Sequence, residues 1–183
     1  MTFALPYLVF GALLCGFALA VIADRRSSRK ISQLDWHELV AGLQRLDMTE
    51  LSAVAIDYLT PRRGQIDMEP KEIWNSLGGY EGLKRMRQNA EIMLALAAYA
   101  QRWNFEEAVI VTERMRMDAA SLRRAVRRVE LGMLPAQLLL RFRFTLPLHA
   151  QEASSAYYLM RQRLLALYET SHVSRHPALA AAL

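Results

Sequence analysis

Residues 80–133 read YEGLKRMRQNAEIMLALAAYAQRWNFEEAVIVTERMRMDAASLRRAVRRVELGM, and their pattern decides the fold. Apolar or small side chains fall at Leu83, Met86, Ala90, Met93, Ala97 and Ala100. They resume at Phe105, Ala108, Met115, Ala119, Leu122, Val126, Val129 and Met133, with Thr112 filling the seam. Steps of three and four alternate throughout, the spacing of one face of an α-helix. Asn104 can cap the second series, with Glu107 in the capping-box position. The spacing therefore predicts two long antiparallel helices joined near Asn104. The joint holds neither Gly nor Pro, so one continuous helix favouring a dimeric coiled coil stays open as the alternative.

The remainder of the chain is also helical in character. Only 8 glycines and 6 prolines interrupt 183 residues. Strong helix formers dominate, and alternating runs of Val, Ile and Thr are missing. Ser32 can cap a helix over 33–46, with Leu34, Leu39, Leu43 and Leu46 apolar, and Thr49 can cap another ending near Leu59. Residues 60–65 read as a turn-rich loop. Pro70 suits the first position of a short helix that Gly78-Gly79 stops. Gly132 closes the long pair, Pro135 opens a short segment to about Phe144, and a last helix spans about Ala150 to Thr170. The tail, 172–183, is expected to be flexible.

Ahead of all this, Phe3 to Ala23 is an uncharged apolar run, followed at once by Arg25, Arg26, Arg29 and Lys30. About 20 such residues at about 1.5 Å rise make a helix as long as a bilayer's hydrocarbon core is thick. The cations mark the cytoplasmic flank, so the expectation is a single-pass inner-membrane protein, N-terminus outside and helical domain in the cytoplasm. A cleaved signal peptide fits less well. Ala18-Leu19-Ala20 has the small-x-small form, but the positive n-region is absent and the cations follow the run rather than precede it. Ala12, Gly16 and Ala20 recur every four residues and could form a close-packed transmembrane dimer face. Cys15, the one cysteine, sits mid-run and has no partner for an intramolecular disulfide. The expected organisation is an anchor over 1–23, a basic juxtamembrane linker over 24–32, a helical domain over 33–171 and the tail.

Two basic features could recognise anions. The juxtamembrane cluster can meet acidic headgroups while setting topology. Arg123, Arg124, Arg127 and Arg128 form a stripe at i, i+1, i+4 and i+5, and guanidinium groups bind phosphates through paired hydrogen bonds. Read more plainly, the stripe is a solvated helix face balanced by Glu113, Asp118 and Glu130. The apolar stretch from Met133 to Leu148 reads either as a core segment or as an in-plane membrane contact. Specific nucleic-acid binding is disfavoured: interleaved exposed aromatics and a recognisable module are missing, and a net charge of +5 is modest.

Catalytic chemistry finds no foothold in the pattern. His172 and His176 have a metal-compatible spacing but lack a third ligand. His37 beside Glu38 stands alone. Gly78-Gly79-Tyr80-Glu81-Gly82 lacks the strand and Lys-Ser/Thr of a phosphate loop. The expectation is a non-enzymatic, cofactor-free and metal-free helical interaction or scaffold protein. Its partners would be the lipid bilayer and another protein, with a homodimer open. The alternative is a peripheral anionic-lipid or nucleic-acid binder using the Arg123–Arg128 stripe.

Overall fold

A computed structural model describes residues 31, 34–60, 68–133, 146–171 and 174–183. The chain divides into two compact units, Met1–Asp35 and Trp36–Leu183. The second is an all-helical bundle. Its described helices are α1 (Trp36–Ala41), α2 (Met48–Leu59), α3 (Pro70–Ser76), α4 (Gly79–Ala100), α5 (Phe105–Met133), α6 (Leu146–Ser171) and α7 (His176–Ala182). Among the described residues, no helix is long and apolar enough to cross a membrane. The run Phe3–Ala23, the Ala12/Gly16/Ala20 face and the juxtamembrane cations lie outside the described residues, as does 134–145.

The long pair is two helices, not one. Asn104 ends the connecting turn and accepts from the Glu107 backbone N–H at 3.4 Å, and its amide donates to the Glu107 carboxylate at 2.7 Å. Arg123 of α5 reaches Glu91 of α4, and Gln101 reaches Thr112, so the two helices run antiparallel. The α4 seam is buried as its spacing predicts, from Leu83 through Met86, Ala90, Met93 and Ala97 to Ala100. The α5 seam is buried from Ala108 to Val129, but its ends are not: Phe105 is 68% exposed and Met133 51%. Both ends meet α6 only at its extremities and stay exposed, so periodicity alone over-extends the core there.

The axis of the bundle is α6. It packs against α2, α3, α4, α5 and α7, most extensively against α5. Asp118–Arg163 and Glu152–Arg128 ion pairs set α5 and α6 antiparallel. Between Ala150 and Tyr157 every residue but Glu152 is buried. Ala150, Ala153, Ser154, Ser155 and Ala156 are small, which lets neighbouring backbones approach on several sides. The serine hydroxyls donate back to the Ala150 and Glu152 carbonyls at 2.9 Å, so burying them leaves no unpaired donor. Below this collar Met160, Leu164, Leu167 and Tyr168 supply bulk.

Three expectations need correction. The helix expected over 33–46 covers Trp36–Ala41: Gly42 ends it and residues 43–47 carry no regular structure. The cap of α2 is Asp47, whose carboxylate accepts from the Thr49 and Glu50 N–H groups, rather than Thr49. The tail is not loose, because α7 forms over His176–Ala182 and buries Leu179 completely.

Between α3 and α4 the chain reverses through Gly78 and Gly79, both at positive φ (67° and 64°), a conformation that costs glycine least. Gly82, one turn into α4, is pressed against the preceding loop. A Cβ there would fall 1.6 Å from the Leu77 carbonyl oxygen, a backbone atom that cannot step aside. Gly82→Ala should therefore cost about 3 kcal/mol or more and lower the thermal midpoint accordingly. A melt indistinguishable from wild type would refute this account of the α3–α4 corner.

Candidate functional site

The Arg123–Arg128 stripe is split by the fold. Arg123 leans toward α4 and pairs with Glu91 at 3.1 Å, both groups partly covered. Arg128 leans the other way and pairs with Glu152 of α6 at 3.4 Å. Their first task is to join α5 to the helices on either side. Among the described residues Arg124 donates to Ser121, at 3.0 Å, within its own helix. Arg127 is exposed and makes no ion pair among the described residues. Two of the four guanidiniums thus remain directed outward, on a face of α5 against which no other described helix packs.

That outer face carries more than arginine. Ile110 (58% exposed), Met117 (65%) and Leu131 (57%) lie on it. Glu113, Arg116 and Arg124 lie among them, with Glu113–Arg116 paired at 2.9 Å. Isolated exposed apolar residues are ordinary. A series of them at helical spacing along one helix is a second amphipathic seam, opposite the buried one. The signal was present in the sequence but hidden behind the stronger core series on the same helix.

The interior polar groups serve the fold. Asn89 of α4 is fully buried, and its amide treats Gln44 as a strand neighbour. Its Oδ1 accepts from the Gln44 backbone N–H at 2.8 Å, and its Nδ2 donates to the Gln44 carbonyl at 2.7 Å. The same Nδ2 donates to the Tyr157 hydroxyl of α6 at 3.1 Å. One side chain thus holds the irregular segment after α1 against both α4 and α6. A second node is Tyr168, whose hydroxyl donates to the Leu96 carbonyl at 3.0 Å and accepts from Trp36 Nε1 at 3.2 Å. Burial pushes the Tyr168 phenol up to about 12, opposed by the Trp36 hydrogen bond and the charge of Arg175. Burial also raises Tyr157, opposed by its hydrogen bond from Asn89.

Arg175 pins α7. Its guanidinium lies 4.9 Å from the ring centres of both Trp36 and Trp103, and 5.6 Å from that of Tyr99. This cation–π cluster gathers the chain end, α1 and the α4–α5 turn at one point. None of the three rings belongs to the sequence-derived site. Among the described residues no three His, Cys, Asp or Glu side chains gather into a possible metal site. His176 opens α7, while His172 lies outside the described residues. A cavity of about 380 Å³ lies between α3 and the facing ends of α5 and α6, lined by Trp74, Met133 and Leu146 among others. No protein-family model, curated protein or solved structure matches the chain.

Two outcomes follow from the buried nodes. Asn89→Ala strands the Gln44 backbone groups and the Tyr157 hydroxyl, and should cost about 2–4 kcal/mol in a denaturant melt. A loss below about 0.5 kcal/mol would show that the clamp is dispensable. Because the folded-state pKa of Tyr168 lies above the value near 10 of an unfolded chain, its contribution is complete below pH 10. It is lost as the pH climbs from about 10 toward 12. Tyr168→Phe should therefore melt lower at neutral pH and lose less over that alkaline window. Parallel alkaline curves for the two proteins would exclude the linkage.

Proposed function

We propose that the chain is a single-pass, membrane-anchored cytoplasmic helical interaction or scaffold protein. The observation that carries this reading is the uncharged run Phe3–Ala23 followed within seven residues by Arg25, Arg26, Arg29 and Lys30. Its length suits one span, and its cationic flank suits retention of the following domain on the cytoplasmic side. The compactness of Trp36–Leu183 as a unit of its own is in keeping with a module displayed beyond such an anchor. Tethering raises the effective concentration of that module toward partners in the same membrane without any added contact. Its partners are the bilayer and another protein. No catalytic role is assigned.

The alternative is a peripheral binder of anionic lipid or nucleic acid through the Arg123–Arg128 stripe. It draws on Arg124 and Arg127, the two members that keep their outward direction. It is weakened because Arg123 and Arg128 are engaged with Glu91 and Glu152.

Membrane fractionation tests the choice. The intact chain should resist alkaline carbonate extraction, and a variant lacking residues 1–30 should appear in the soluble fraction. A C-terminal fluorescent reporter should light up, and a C-terminal alkaline phosphatase, active only outside the cytoplasm, should stay silent. Salt-sensitive pelleting of the shortened variant would transfer the case to the peripheral reading. Phosphatase activity would invert the assigned topology.

A further inference from the structure

We propose that the outer face of α5 is a homodimer interface, in which α5 packs antiparallel against α5 of a second copy. Ile110, Met117, Ala120 and Leu131 share this face with Glu106, Glu113, Arg124 and Arg127. Taken together in chain order they advance by alternating steps of four and three, the a/d repeat of a two-helix seam. Ile110, Met117 and Leu131 are each more than half exposed, although they occupy the positions that knobs-into-holes packing requires.

Charge selects the occupant. The acidic members, Glu106 and Glu113, lie in the N-terminal half of the face, and Arg124 and Arg127 in the C-terminal half; Arg116, at the edge of the face, is paired with Glu113. A parallel copy would set each carboxylate beside its own duplicate and each guanidinium beside another. An antiparallel copy, with its two-fold axis between residues 118 and 119, sets every a position against a d position. Glu113 then faces Arg124 twice and Met117 faces Ala120 twice, while Ile110 lies against the methylene stem of Arg127 and Leu131 against that of Glu106, one turn from Arg127. The charges of the face attract in the antiparallel direction and repel in the parallel one, which suits a two-fold interface. An anionic lipid surface would suit Arg124 and Arg127 but would repel Glu106 and Glu113.

The resident contacts leave room for this exchange. Arg123 and Arg128 flank the seam with their charges already matched by Glu91 and Glu152. The Glu113–Arg116 pair is solvent-exposed, so an additional guanidinium can join it without breaking a buried contact. The two long side chains nearest the axis are both Met117, whose flexible thioether accommodates small errors of register. The proposal stands on α5 alone and does not depend on the membrane anchor.

The test uses the full-length chain in its membrane or detergent form, with Cys15→Ser to remove the native thiol. Nitroxide labels are attached at Met117→Cys or, separately, at Glu106→Cys, and distances between copies are read by pulsed electron resonance. Antiparallel pairing gives a short distance, under about 20 Å, at position 117 and about 40 Å at position 106, from about 1.5 Å rise per residue. Glu113→Arg should abolish the 117 distance, and so should Arg124→Glu. The double variant Glu113→Arg/Arg124→Glu should restore it. Circular dichroism spectra of each variant should show the helix content of wild type, because both residues are exposed. Short distances at both positions, or no distance between copies, would overturn the proposal. So would relaxation of the 117 label by a lipid-soluble quencher, which would make lipid the occupant. Failure of the double variant to recover would remove the Glu113–Arg124 pairing on which the direction rests.

Discussion

Everything in the bundle is arranged around the collar of small residues in the first half of α6. From Ala150 to Tyr157 the helix is enclosed on nearly all sides, and helices can crowd a common axis only where side chains are short. Close approach increases dispersion contacts between neighbours, but it brings backbone and hydroxyl groups out of water. Ser154 and Ser155 resolve that conflict locally by donating to carbonyls of their own helix. The large side chains that fill the core, among them Met86, Met93, Met115, Leu122 and Met160, then complete a volume whose width the collar has set. Larger residues at the collar would push α2, α4 and α5 outward together, because all three lean on the same axis.

The second constraint is the fate of the segment that leaves α1. A chain without helical hydrogen bonds needs partners for its backbone wherever it approaches the core. Asn89 supplies both an acceptor and a donor to Gln44 from a side chain that α4 already holds in place. Tyr157 accepts the remaining reach of the same amide, and Tyr168 joins Trp36 to the α4 backbone one layer away. These nodes lie on the faces where periodicity leads one to expect only apolar residues. Their contribution is positional: they fix the register of α1 and of the following loop against α4 and α6.

How much of this was legible depended on which physical signal each element carries. The α4–α5 pair announced itself, because its burial is encoded in hydrophobicity at helical spacing, and a cap at Asn104 marked the joint. The α3–α4 reversal was equally plain from Pro70 and the Gly78-Gly79 pair. The place of α6 was not legible: a helix made central by Ala and Ser has little contrast between its faces, and its small residues read as neutral. Nor was α7, whose hold on the bundle comes from Leu179 and from Arg175 among Trp36, Tyr99 and Trp103, residues distant in sequence. The arginine stripe was visible as a pattern, but its division between Glu91 and Glu152 required knowing which helices flank α5.

The same helix shows why periodicity has to be read twice. A face that must bury itself against α4 and α6 needs only about half the circumference of α5, and the other half is free to follow a different rule. Ordinary solvation asks merely for polar residues there, in any order. On α5 the order is instead regular, with apolar positions at helical spacing and Glu113 and Arg124 placed symmetrically about the middle of the face. A monomer gains nothing from that regularity, since exposed ion pairs contribute little and exposed Ile110, Met117 and Leu131 contribute nothing to folding. A surface that meets its own copy gains from both features at once. Confinement to a membrane plane would strengthen the effect by raising local concentration, but the complementarity is a property of the helix itself.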